Sequence, residues 1–208
     1  GLSGSNCWYH EIIGNVDFIV MDGNQKMSKD STQYKDVKKW IDESKVKYQV
    51  VVIHQPFSTV KSTHADNGKF LTYNPLFQGK VEIEDQAHNH NYQRFTIGNV
   101  TYLLTGTGYH DSGSRMYPVS SDTDRNGNKA DAKMTGKNGF TLVTFGETIE
   151  GRFIGSADAA VYDSFSIGKG TIPPQPPIEN GTIDTEPNEV CACVNGTDTN
   201  PPPVDNKT

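Results

Sequence analysis

Two histidines, His88 and His90, lie one residue apart in the polar segment 86–94. In an extended or loop backbone, residues i and i+2 point the same way, so both imidazoles are directed at one small volume. Neutral imidazole is the commonest metal ligand in proteins. An isolated pair of this kind is more often a solvated loop than a ligand pair. The elements that position the two histidines must therefore decide between these interpretations.

Three segments upstream predict a parallel strand–helix–strand unit. Residues 16–22 form an apolar run between glycine–asparagine pairs, and 48–53 form a continuous β-branched run, which indicates buried strands. Between them, 31–45 has apolar side chains at helical spacing, with Ser31 as the predicted N-cap. Such a unit places His54 at the carboxyl end of a central strand, the edge at which parallel sheets bind ligands.

The rest of the body is predicted to be strands and loops. Residues 57–80 are expected to be mostly loop. Further strands are expected at 81–85, 94–97, 100–104, 140–145, 149–154 and 161–167. Glu84 and Asp85 are unusual inside a central strand, because carboxylates are rarely buried, so they favour an edge position or an added protein contact.

Composition separates a body, residues 1–168, from an extended linker or stalk, 169–208. The chain has 208 residues, a hydrophobic content of 34% and a net charge of −6, most of it in the Pro-rich end. That end has too little apolar surface to offset the entropy of ordering. No basic face indicates nucleic-acid binding, and no apolar run reaches membrane-spanning length.

Glycosylation sequons and cysteines favour an exported protein, extracellular or at the cell surface. The candidate N-glycosylation sites are Asn99, Asn180, Asn195 and Asn206. Cys7, Cys191 and Cys193 are compatible with disulfides outside the cell, although their odd number leaves one thiol over. A Cys-x-Cys metal ligand pair at 191–193 is the alternative.

At these motifs the sequence resembles the calcineurin-like metallophosphoesterases, particularly the purple-acid-phosphatase-like branch. The matching segments are GNVDFIVMD (14–22), VVIHQP (51–56), AHNHNYQR (87–94) and LTGTG (104–108). Their order and spacing fit the second half of that domain over roughly residues 5–168. The resemblance implies an α/β fold, the C-terminal part of a four-layer α/β/β/α sandwich. The family's G-H-x-H signature has Ala87 in the glycine position, which removes any conformation needing positive φ there.

The resemblance also implies a two-metal site that hydrolyses phosphate esters. His54 and His88 would hold one metal and His90 the other, the metals being divalent or trivalent Fe, Zn or Mn. Two metals roughly 3.5–4 Å apart clamp a phosphate and generate hydroxide from bound water. His64, ten residues after His54, matches a loop histidine that faces the phosphate, where it would protonate the leaving oxygen or pair with the phosphate.

The family's first-half motifs, D-x-H, G-D-x-x-D and G-N-H-[DE], do not occur in the sequence. They supply the bridging aspartate and most ligands of the first metal, so the predicted site is incomplete. We therefore expect a partner for residues 1–168, most simply the missing N-terminal half of the domain or another chain. The alternative is a non-catalytic surface structural or adhesion protein that retains the fold. The acidic pair Glu84 and Asp85 fits that alternative.

A second constellation is independent of the family. Residues 122–128 match the start of a D-x-D-x-N-G calcium loop, in which carboxylates at alternate positions surround one ion. The candidate ligands are Asp122, Asp124, Asn126, Asn128 and Asp131. The closing position is Lys133 instead of glutamate. A polar surface loop is the alternative, and a calcium-stabilised binding module is a third hypothesis for the chain.

Overall fold

The computed structural model describes residues 3–4, 7–60, 64–108, 119 and 121–168. Within these ranges the chain forms eleven strands and two helices. In chain order they are β1 (Ser3–Gly4), β2 (Tyr9–Ile13), β3 (Val16–Val20), α1 (Thr32–Glu43), β4 (Tyr48–Ile53), α2 (Phe70–Phe77), β5 (Ile83–Gln86), β6 (Tyr92–Ile97), β7 (Val100–Thr105), β8 (Ala132–Met134), β9 (Gly139–Phe145), β10 (Ile149–Gly155) and β11 (Val161–Ile167).

Eight strands form the main sheet, in the order β1-β2-β3-β4-β5-β7-β6-β8. The pairs β3–β4, β4–β5 and β5–β7 are parallel, whereas β2, β6 and β8 join the sheet antiparallel. The predicted unit β3–α1–β4 is therefore confirmed. Because β4 and β5 run in the same direction, the residues that follow them meet at one edge of the sheet.

The two helices cover one face of the main sheet. Ser31 caps α1 as predicted, with its hydroxyl accepting the Tyr34 backbone N–H at 3.2 Å. Helix α2 lies within the segment 57–80, so the prediction of loop is wrong for Phe70–Phe77. Its sequence hides it because Pro75 interrupts an apolar run with no helical alternation. Both helices pack over the larger apolar core, which includes Ile19, Val51 and Tyr102 from the sheet.

The small antiparallel sheet β11-β10-β9 lies against the opposite face of the main sheet. Tyr48 donates its hydroxyl to the Glu147 carbonyl oxygen at 2.8 Å, next to the start of β10. Arg94 on β6 donates through Nε to the Asp163 carboxylate of β11 at 2.7 Å. The described residues therefore build three layers, helices on a sheet on a second sheet.

Strand β5 is interior, between β4 and β7, so the prediction that its carboxylates mark an edge is wrong. Glu84 is fully buried on the helix side, beside Val51 and Tyr102, and neither carboxylate oxygen has a hydrogen-bond partner. Burial, aided by the charge of Asp85, raises the pKa of Glu84 well above its usual value. Burial therefore favours the protonated form of Glu84 and keeps this side chain out of any contact surface.

The predicted linker or stalk, 169–208, lies outside the described residues. Cys7 is disulfide-bonded. The other two cysteines, at positions 191 and 193, lie outside the described residues. Within the described ranges, neither α1 nor α2 has the length and apolar character needed to cross a bilayer.

Candidate functional site

Two predicted ligands meet where adjacent parallel strands end. His54 follows β4 and His88 lies two residues beyond β5, and their Nε2 and Nδ1 atoms are 3.1 Å apart. The two rings are 5.0 Å apart between centroids and nearly perpendicular, at 72°. His54 is exposed and His88 is half-buried, so the pair opens to solvent at the carboxyl edge of the sheet.

The loop after β4 adds a third imidazole. The ring of His64 lies against that of His88, with centroids 4.3 Å apart and planes inclined by 39°. His90 lies close enough for its charge to act on His88. The structure thus brings the rings of His54 and His64 into contact with that of His88, and His90 acts on His88 through its charge.

Burial and the neighbouring imidazoles lower the pKa of His88. Desolvation is the largest cause, followed by the positive charges of His64, His54 and His90. All of these disfavour the imidazolium. His88 is therefore a neutral imidazole at physiological pH, which is the form that binds a metal.

The backbone at His88 adopts a left-handed conformation, with φ of 65°. The Asn89 N–H donates to the Ala87 carbonyl oxygen at 2.8 Å, which closes a tight three-residue turn around His88. A non-glycine residue in such a conformation is strained and persists only where its surroundings fix it. Ala87, at the family's glycine position, does not have positive φ; the histidine itself does.

Buried amide side chains between the end of β5 and the start of β6 hold the loop that follows β4. Gln86 accepts the backbone N–H of Phe57 at 2.7 Å, and Gln93 accepts that of Val60 at 2.9 Å. Asn89 is fully buried and pairs with the backbone of His64. Sequence reasoning missed these positioning residues. The available signal was the number of amide side chains around the histidine pair, a composition unusual for a buried segment.

The donor set fits part of a metal centre. Two nitrogen ligands of one tetrahedral transition metal lie about 3.3 Å apart for metal–nitrogen bonds of about 2.05 Å, close to the 3.1 Å between His54 and His88. Among the residues that the structure describes, however, no three His, Cys, Asp or Glu side chains are arranged to hold a metal ion. The ring of His64 contacts that of His88 at a tilt of 39°. The described residues therefore fit two ligands of one metal and do not supply a dinuclear set.

The predicted calcium loop is organised around one buried carboxylate. Asp124 accepts from the Ser58 hydroxyl at 2.7 Å, from the Asn128 side chain at 2.8 Å and from the backbone N–H groups of Asn126 and Asn128, both at 2.8 Å. Asp122 pairs with Lys133. Asp131 is exposed and pairs with Arg94 at 3.1 Å. Calcium binding stays a prediction, and the observed bonding favours the alternative, a polar turn.

One predicted glycosylation site lies within the described residues. Asn99 is half-buried in the turn between β6 and β7, and its side-chain oxygen accepts the Gly79 N–H at 2.8 Å. Asn180, Asn195 and Asn206 lie outside the described residues.

Two solved structures are similar to the chain. The first, the purple acid phosphatase PPD1 isolated from yellow lupin (Lupinus luteus) seeds, is 18% identical with a TM-score of 0.63 over 77% of this chain and 32% of that one. The second, GAP50, the anchor in the inner membrane complex of Plasmodium, is 15% identical with a TM-score of 0.61 over 79% of this chain and 55% of that one. No family model matches the sequence, and no curated protein matches it.

These similarities establish the fold. The chain has part of the calcineurin-like metallophosphoesterase fold, as its motifs predict, and spans about a third to a half of the length of these neighbours. At this level of identity, function has to be argued from the site itself.

Proposed function

We propose that the chain carries the histidine part of a metal-dependent phosphoesterase centre in an exported protein. The observation that carries this proposal is the 3.1 Å approach of His54 Nε2 to His88 Nδ1 at the carboxyl ends of two parallel strands. Two further observations support it. The fold is that of the purple acid phosphatases, and His88 is neutral and held in a strained turn. Strained residues cluster at functional sites.

In this proposal each histidine has a defined task. His54 and His88 would hold one metal, and His90 would contribute to a second. A metal bound there would polarise the phosphate and lower the pKa of a bound water. His64, on the loop packed over His88, hydrogen-bonds the phosphate or donates a proton to the leaving oxygen.

The ligands that complete a dinuclear centre must come from elsewhere. A carboxylate that bridges two metals is needed, and the described residues do not place one at the histidines. We propose that it is supplied by residues outside the described ranges or by a partner chain. The substrate class is then a phosphate ester, with iron, zinc or manganese as the metal.

A second candidate is a non-catalytic anchor or adhesion protein at the cell surface. The specific observation in its favour is that the described residues contain no complete ligand group. The similarity to GAP50, an anchor, is compatible with it. In this case the histidine cluster would be a remnant of the fold.

One experiment separates the two candidates. The native protein is assayed for metal content and for hydrolysis of a generic aryl phosphate, alongside His88→Ala and Arg152→Ala. Arg152 is exposed on β10, outside the histidine cluster, and serves as the control for truncating a side chain elsewhere in the chain. Loss of a supporting group around a metal costs roughly 10- to 100-fold, so loss of the ligand His88 should reduce hydrolysis at least that much.

Hydrolysis that survives in His88→Ala would contradict the role of this histidine. A native protein with neither transition metal nor hydrolysis would overturn the enzymatic proposal and favour the anchor. Arg152→Ala should match the native protein in both measurements.

A further inference from the structure

One buried side chain joins the two loops that carry the histidines. Asn89 lies between His88 and His90 and is fully buried. Its oxygen accepts the His64 backbone N–H at 3.0 Å, and its amide nitrogen donates to the His64 carbonyl oxygen at 3.0 Å. The Asn89 side chain thus bonds both the N–H and the carbonyl group of His64, as a neighbouring strand would.

The same amide is anchored on its other side. Its nitrogen also donates to the Thr59 hydroxyl at 3.0 Å, near the start of the loop. Both donor hydrogens and the acceptor oxygen of Asn89 are therefore in use. A side chain with this bonding holds one orientation, and the loop backbone at His64 is fixed by it.

The backbone at Gly106 lies close to the backbone of Asn89. A Cβ atom at position 106 would lie 2.0 Å from the Asn89 carbonyl oxygen, so only glycine allows this approach. The turn after β7 therefore packs against Asn89, whose side chain bonds the His64 backbone. The consequence is the ring contact of 4.3 Å between His64 and His88.

We infer that Asn89 is the positioning residue that places His64 over His88. It acts through the backbone of His64 and not through substrate. This inference rests on the proposed function for the task of His64, but the geometry it concerns can be measured without any activity. The measurement is the set of nuclear Overhauser contacts between the ring protons of His64 and His88 in the full chain.

In the native protein these contacts should be observed. In Asn89→Ala they should be lost, because the variant removes both hydrogen bonds from the Asn89 side chain to the His64 backbone. Gln78→Ala is the matched control. Gln78 also accepts a backbone N–H, from Asn99 at 3.2 Å, and donates to a backbone carbonyl, that of Ile97 at 3.0 Å, but neither partner belongs to the histidine loops. The ring contacts should survive in this control.

Asn89→Asp separates the loss of the donor from the loss of side-chain volume. Aspartate keeps the acceptor for the His64 N–H and loses the donor to the His64 carbonyl, so the contacts should weaken without a change in side-chain size. Unchanged contacts in either Asn89 variant would overturn the inference, as would their equal loss in Gln78→Ala. Where hydrolysis is measurable, Asn89→Ala should add no further loss of kcat to His64→Ala. Additional loss in that background would indicate a merely structural role.

Discussion

Two regions of this molecule have the residue types and spacing of an ion site, and the fold uses them differently. In the histidine cluster, nitrogen atoms of two strand ends face each other at 3.1 Å beside solvent. In the aspartate loop, the central carboxylate of Asp124 is 5% exposed and accepts hydrogen bonds from four protein donors. The histidine cluster directs nitrogen atoms at each other at the solvent-exposed edge of the sheet. The aspartate loop directs its carboxylate oxygens at N–H groups of its own backbone.

The difference lies in what each group must do for the fold. A carboxylate has about four lone-pair positions, and those of Asp124 organise a turn that donates to them. His88, in contrast, adopts a strained backbone, with φ of 65°. Side chains that are held at a cost to the fold are better candidates for function than side chains that stabilise it.

The largest expected change in the free energy of unfolding is in the aspartate loop. Asp124→Ala should lower the free energy of unfolding by about 2 to 4 kcal/mol, because it leaves the Ser58 hydroxyl and several N–H groups without their acceptor. Urea denaturation measures this as a lower midpoint at an unchanged slope.

Asp122→Ala is the control for this loop, since Asp122 is exposed and pairs only at the surface with Lys133. Its stability should match that of the native protein, with or without added calcium. If Asp122→Ala and Asp124→Ala lost equal stability in calcium-containing buffer, the loop would be a calcium site and the contrast between the regions would fail.

A smaller effect of opposite sign is expected at the histidines. His88→Gly should raise the free energy of unfolding by up to about 1 kcal/mol, because glycine adopts a φ of 65° without the clash that histidine has there. Hydrolysis should be lost in the same variant. A stabilised, inactive protein would show that the strain is retained for function.

Ala87→Gly tests whether the strain is local to His88. Ala87 does not have positive φ, so glycine should lower the free energy of unfolding by about 0.5 to 1 kcal/mol through the entropy of the unfolded chain. A gain in stability from Ala87→Gly, or a loss from His88→Gly, would contradict the assignment of the backbone strain to His88.

The sequence predicted those features that depend on local pattern. Strand β4, with its continuous β-branched run, has the predicted boundaries, and Ser31 caps α1. The predicted parallel arrangement of the strands was sufficient to place His54 and His88 at the same edge of the sheet. The fold family followed from these motifs and is confirmed by structural similarity.

The rest depended on tertiary context. Glu84 was assigned to an edge because burying a carboxylate is costly, yet the core holds it as a neutral acid. The role of Asn89 needs two loops to meet, and no periodicity encodes such a contact. The positive φ of His88 similarly results from the turn that connects β5 to β6 and not from the residue type.

The most direct test of the central claim is calorimetric titration of the full chain with Zn²⁺ and, separately, with Ca²⁺. We expect Zn²⁺ to bind the native protein and not His88→Ala, and we expect no heat of binding from Ca²⁺. This result would place the ion-binding capacity at the histidine cluster. Zn²⁺ binding that is unchanged in His88→Ala, or Ca²⁺ binding that Asp124→Ala abolishes, would contradict the account.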